Sequence, residues 1–191
     1  MKVVGINSSP RRDGNTSMLI NTVFQELEKE GIETEQIRIG GTVVRGCTGC
    51  GTCAKQRNRR CVFDEDIIND CIAEISAADG IILGSPCYFT DVTAEMKAFI
   101  DRVGMVSLNN GGILKHKAGG CLVAVRRGGA THAFDTMNHF LHYMQTFMVG
   151  ASYWNMAYGL KIGDVNNDQE GLRNMKTLGE NMAFLLKKLR A

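Results

Sequence analysis

A chain of 191 residues, 44% hydrophobic and 22% charged, has the size and balance of a single soluble domain. That length can bury about 70% of the unfolded surface, so the fold needs no disulfide support. A net charge of +2 is too small to argue for nucleic acid or an anionic membrane, and no apolar run approaches the ~18 residues of a membrane span.

The first strand is Val3–Ile6. It begins so near Met1 that the expectation is a cytoplasmic chain with no signal peptide. Thr16–Glu30 follows as a helix, with Leu19, Ile20, Val23, Phe24 and Leu27 on one face and Gly31 as the stop. Thr34–Ile39 alternates and reads as a second strand, and a cysteine-rich loop at 46–61 comes next. Ile67, Ile68, Cys71, Ile72 and Ile75 repeat the helical spacing, and Ile81–Gly84 is a continuous apolar strand. A third long helix carries Met96, Phe99, Ile100 and Val103, and Gly104–Lys117 reads as a mobile connection tipped by Asn109-Asn110-Gly111-Gly112. Cys121–Val125 is the fourth strand. Phe134, Met137, Leu141, Met144 and Met148 define another helix, Ala151–Tyr158 a fifth strand, and Asn167 or Asp168 caps a last helix.

Strand–helix alternation predicts an α/β fold with parallel pairing. Strands apolar at successive positions suit a sheet covered on both faces. Five such units give a doubly wound, flavodoxin-like sheet in the order 2-1-3-4-5, whose switch point lies between strands one and three. The loops after Ile6 and Gly84 are therefore the places to look for chemistry.

The first of these runs Asn7-Ser8-Ser9-Pro10-Arg11-Arg12-Asp13-Gly14-Asn15-Thr16-Ser17 into a helix. Hydroxyls, an amide and free backbone N–H groups at a helix N-terminus suit a phosphate dianion. A nucleoside triphosphate loop needs a lysine at the helix start, where this chain has Asn15 and Thr16. A dinucleotide fingerprint needs closely spaced glycines, and Gly5 and Gly14 lie too far apart. A terminal monophosphate fits best.

Ser8-Ser9-Pro10-Arg11-Arg12-Asp13-Gly14-Asn15-Thr16 resembles the GSPR-x-x-GNT loop of the NADPH-dependent FMN reductase family. Gly84-Ser85-Pro86-Cys87-Tyr88-Phe89, continuing to Met96-Lys97-Ala98-Phe99-Ile100-Asp101-Arg102, is similar to its GSPVYF…MKAFIDR block. The departures are Ser8 for glycine, which slightly restricts the turn, and Cys87 for valine. The resemblance implies FMN, its phosphate held by Ser8, Ser9, Pro10, Arg11, Asn15, Thr16 and Ser17. An isoalloxazine ring needs a flat apolar neighbour and backbone donors, and Ser85, Pro86, Cys87, Tyr88 and Phe89 are placed to supply them. Arg126 and Arg127 follow the fourth strand at the same sheet edge, where positive charge favours a reduced, anionic flavin; a solvated arginine pair is the alternative. The resemblance implies that Arg126, Arg127, Gly128 and Gly129 line the flavin.

Cys47, Cys50 and Cys53 recur every three residues, and Cys61 follows seven residues later. In a reducing cytosol such a run points to metal rather than disulfides. Three thiolates from one tight turn and a fourth nearby suit a [4Fe-4S] cubane, offset in charge by Lys55, Arg57, Arg59 and Arg60. Zinc and free thiols are the other readings. The run resembles that of the iron–sulfur flavoprotein branch, as does the acidic stretch Asp64-Glu65-Asp66. Cys71 and Cys121 fall on core faces and are read as packing, Cys87 beside the predicted ring as buried filler with a redox role as the alternative, and His139 and His142 as surface or interface residues. The branch implies electrons moving from ferredoxin or NAD(P)H to a small-molecule acceptor. The Met-rich helix suggests a homodimer or homotetramer. A reductase without a cluster and a non-catalytic, flavodoxin-like electron carrier are the competing functions.

Overall fold

The computed structural model describes residues 1–190. Five elements follow the expected alternation closely: β1 (Lys2–Asn7), α1 (Asn15–Lys29), β2 (Glu33–Arg38), α3 (Ile68–Ala77) and β3 (Gly80–Pro86). After α4 (Ala94–Asn109), β4 (Ala118–Val125) and α5 (Ala130–Tyr143) come the short strands β5 (Phe147–Met148) and β6 (Met156–Tyr158) and the long helix α6 (Gln169–Arg190). A further helix, α2 (Thr52–Gln56), lies within the cysteine-rich loop. The sheet is parallel in the order β2-β1-β3-β4-β5, with β6 also paired to β4.

Both faces of the sheet are covered because its strands are apolar at successive positions. In β4, Cys121, Val123 and Val125 face α3, α4 and α5, whereas Leu122 and Ala124 face α1 and α6. α1 lies very close to the two central strands. A Cβ at Gly84 would stand 2.7 Å from Ile20 Cδ1 and 3.0 Å from Thr16 Cγ2, so a side chain there would push the helix off the switch point. Asp168 caps α6 by accepting a 2.9 Å hydrogen bond from the Gly171 amide.

Three elements differ from expectation. The segment 104–109, expected in a mobile connection, instead completes α4. Gly104 faces the Phe140 ring and Val106 is buried, so the helix continues until Asn110 turns its side chain back onto the Val106 carbonyl at 2.8 Å. Met148 leaves α5, which ends in a left-handed turn at Gln145 (φ 60°) with Thr146 N–H and Oγ1 both bonded to the Leu141 carbonyl.

The fifth strand is split in two. Phe147–Met148 pairs with Ala118–Gly119 and Met156–Tyr158 with Val123–Val125, while the chain between them leaves the sheet. Asn155 bridges the gap, its carbonyl accepting from Val123 N–H at 2.9 Å and its amide donating to the Cys121 carbonyl at 2.9 Å. The detour is held by Asn174 of α6. This buried amide accepts from Ser152 Oγ (3.2 Å) and Tyr153 N–H (2.9 Å) and donates to the carbonyls of Tyr153 (3.2 Å) and Trp154 (2.8 Å). Replacing it with leucine strands buried backbone groups, so Asn174→Leu is expected to lower stability by about 2 kcal/mol. An unchanged urea midpoint would show that the clamp contributes nothing.

Candidate functional site

The loop after β1 is fixed from all sides. Asn7 is fully buried, donates to Gln36 Oε1 at 2.7 Å and accepts from Ser9 N–H at 2.9 Å. Ser8 bonds the Gly84 carbonyl through its amide (2.9 Å) and its hydroxyl (3.2 Å), and its own carbonyl accepts from Thr93 Oγ1 at 3.3 Å. The loop is thus tied to β2, β3 and the start of α4. It delivers the chain to α1, whose N-cap is Gly14 with no side-chain cap and no acidic residue in the first turn. The leading N–H groups of α1 and the positive end of its dipole are left for an anion. Thr16 adds a hydroxyl that is 1% exposed and has no hydrogen-bond partner. A buried orphan of this kind points to a missing acceptor.

These groups open onto a cleft of about 250 Å³ lined by Ser9, Arg11, Asn15, Thr16, Pro86, Cys87, Tyr88 and Arg126, with Ala124, Gly159 and Leu160. Eight of the expected residues therefore meet in one place. Ser8, Ser17, Ser85 and Pro10 do not line it. The first three are buried, and Pro10 is exposed. Ser85 instead accepts from Thr93 N–H at 3.2 Å and so joins β3 to α4. Tyr88 is half exposed at the rim, whereas Phe89 is fully solvent-exposed with φ 48° at the tip of the Tyr88–Asp91 turn. Arg127 and Gly128 are exposed outside the cleft, and Gly129 starts α5 with φ 89°. Burial pushes the Cys87 thiol up, which keeps it protonated beside the cleft.

The wall formed by Gly159 and Leu160 was not foreseen, although the loop after a fifth strand opens on the same sheet edge. Arg11 Nη1 donates to the Leu160 carbonyl at 2.9 Å. Asn15 donates to Lys161 O and accepts from Gly163 N–H, both at 2.9 Å. A Cβ on Gly159 would lie 2.7 Å from Asn15 Nδ2, so only glycine lets this loop close on the helix start.

The second cluster is built on α3 and α4. All four cysteines of the loop line one small cavity, together with Thr48, Phe63, Arg102, Met105 and Val106. They are held unequally. Cys53 is buried on α2, and Cys61 is clamped by buried Asn69, which accepts from Cys61 N–H at 2.8 Å and donates to Cys61 O at 3.0 Å. Cys47 and Cys50 are exposed on a glycine-rich arm in which Gly49 and Gly51 have φ of 64° and 70°. The Gly49 amide donates to Cys47 Sγ at 3.4 Å. The Thr52 hydroxyl lowers the Cys50 pKa, while burial raises that of Cys53. Four thiols with an amide donor suit a metal–sulfur group. The cavity, about 20 Å³, must widen to admit one, and among the described residues no three metal-ligating side chains already converge.

Lys55, Arg57, Arg59 and Arg60, expected to offset a cluster's charge, are all exposed, and Arg60 is paired with Asp64. The buried charge is Arg102, which sequence reasoning placed only inside a family motif. It pairs with Asp66 and donates to the carbonyls of Phe63 (2.8 Å) and Arg45 (3.3 Å). Burial opposes its charge, but Asp66 and the Cys61 sulfur outweigh that and raise its pKa.

The profile of the NADPH-dependent FMN reductase family matches residues 1–161, which contain both clusters. The chain belongs to that family. Two relatives place it in the iron–sulfur flavoprotein branch. An iron–sulfur flavoprotein of Methanocaldococcus jannaschii is 34% identical over 98% of both chains. Another, of Archaeoglobus fulgidus, is 35% identical over 96% of this chain and 79% of its own. A flavodoxin-like, WrbA-like protein of Agrobacterium tumefaciens shares the fold, with TM-score 0.66 and 18% identity over 98% and 97% of the two chains. As a member of this family the protein is an FMN-dependent oxidoreductase.

Two measurements probe the clusters separately. Thr16→Val removes the orphan hydroxyl, so it is expected to leave the ligand-free protein as stable as before while weakening FMN binding about tenfold; equal affinity in a fluorescence titration would remove Thr16 from the site. Iodoacetamide at neutral pH is expected to alkylate Cys50 ahead of Cys53, and to spare Cys71, pushed up to about 12 by burial, and fully buried Cys121. Early labelling of Cys71 or Cys121 in a peptide map would contradict the burial described.

Proposed function

We propose that the FMN phosphate is seated at the start of α1 and that Cys47, Cys50, Cys53 and Cys61 hold a [4Fe-4S] cluster. The protein would then move electrons from ferredoxin or NAD(P)H to a small-molecule acceptor. When bound, FMN supplies one- and two-electron chemistry and the cluster single-electron transfer. The single observation that carries the reading is the coexistence of two clusters of ligand-binding side chains in one chain. One is an uncapped helix start with an orphan hydroxyl, the other a cavity lined by four thiols.

The chain's own residues divide the work. The N–H groups of α1, Ser9 and Thr16 take the phosphate, and Asn15 and Arg11 hold the opposite wall. Pro86, Cys87 and Tyr88 border the ring, with Tyr88 offering its face and Arg126 a positive charge at the rim. Seven free cysteines suit a reducing, cytoplasmic setting. Met105, Leu108, Tyr143, Phe147 and Met148 are exposed apolar residues, which favours assembly into a homodimer or homotetramer.

Anaerobic purification of the Cys50→Ala variant tests the reading. Iron and sulfide are expected to fall to background while FMN remains bound. Loss of both groups together would mean the two sites are not independent. Wild-type protein that retains FMN but binds no iron would leave a reductase without a cluster, and rapid bleaching by NADPH alone would identify the nicotinamide as donor.

A further inference from the structure

We infer that Arg102 is the positioning residue of the cysteine site, donating its Nε–H to the Cys61 thiolate and so raising the electron affinity of whatever metal group the four sulfurs hold. For iron and sulfide this rests on the function proposed above; for a bare divalent metal it does not.

The side chain is fully buried and borders the cavity that the four cysteines line. Its Nη atoms are engaged by Asp66, the Phe63 carbonyl and the Arg45 carbonyl. Nε has no partner. A charged donor left unmade in the interior is destabilising, and such groups normally find an acceptor. Asp66 does not border the cavity, so the pair is oriented, cation toward the sulfurs and carboxylate behind. Lys55, Arg57 and Arg59 are exposed and act through water and salt. Arg102 acts without that screening.

Two consequences follow from the same contacts. Arg45 lies just before Cys47 and Phe63 just after Cys61, so one guanidinium ties both ends of the cysteine loop to α4. One-electron reduction of a thiolate-ligated cluster adds a negative charge without making or breaking a bond. An N–H donor and an unscreened cation favour that reduced form and raise the potential.

The test compares wild type with Arg102→Lys and with the double variant Arg102→Met/Asp66→Asn, which leaves no unpaired buried charge. Retention of FMN and an unchanged circular dichroism spectrum confirm the fold. With cobalt(II) alone as probe, both variants are expected to bind about tenfold more weakly. Their sulfur-to-cobalt charge-transfer band should also move to lower energy, which loop tethering by itself would not cause. After reconstitution with iron and sulfide, the reduced-to-oxidised ratio at a fixed potential should fall about tenfold, equal to about 59 mV for one electron. An unshifted band together with unchanged cobalt affinity overturns the assignment, as does an unchanged potential in cluster-loaded variants. If wild type takes cobalt with an Arg102-dependent band but never iron, the assignment stands and the cluster proposal fails.

Discussion

The close approach of α1 to the two central strands is the constraint on which the cleft depends. Ile20 and Thr16 lie against Gly84, and this contact fixes both the height and the direction of the helix. Its first turn is thereby aimed into the crevice between β1 and β3. The sequence leaves that turn without a side-chain cap, so its N–H groups stay available to an anion. A tight hydrophobic contact on one side of the helix thus determines where charge is wanted at its end.

The same economy extends across the sheet. Ser8, Ser85 and Thr93 do not line the cleft, yet together they bind the β1–α1 loop to β3 and α4. α4 in turn carries Arg102 into the cysteine cavity. The two sites therefore share a rigid support, although no side chain lines both the cleft and the cavity. Rigid placement is what electron transfer asks of a protein, since the redox groups carry the chemistry and the chain fixes their positions and surroundings.

Much of this could be read from the chain because the informative signals are local. Apolar runs gave the strands, 3.6-residue spacing gave the helices, and two motifs after strand ends gave the cleft. What could not be read depends on contacts between distant residues. The split of the fifth strand rests on Asn155 reaching Cys121 and on Asn174 reaching Tyr153, Trp154 and Ser152 across about 20 residues of chain. Gly159 and Leu160 become a wall only because Asn15 and Arg11 bind the loop around them. Arg102 stands in the sequence only as the last residue of a family motif, and its place beside Asp66 emerges when the fold buries it. The exposure of Phe89 was equally hidden, because it follows from a left-handed backbone at the tip of the Tyr88–Asp91 turn.

The four thiols are anchored unequally. Cys53 and Cys61 are stationary, fastened to a helix and to Asn69. Cys47 and Cys50 ride on an arm where a Cβ at Gly46, Gly49 or Gly51 would stand in open space. A metal taken up as proposed would find Cys53 and Cys61 already fastened in place and Cys47 and Cys50 still facing solvent.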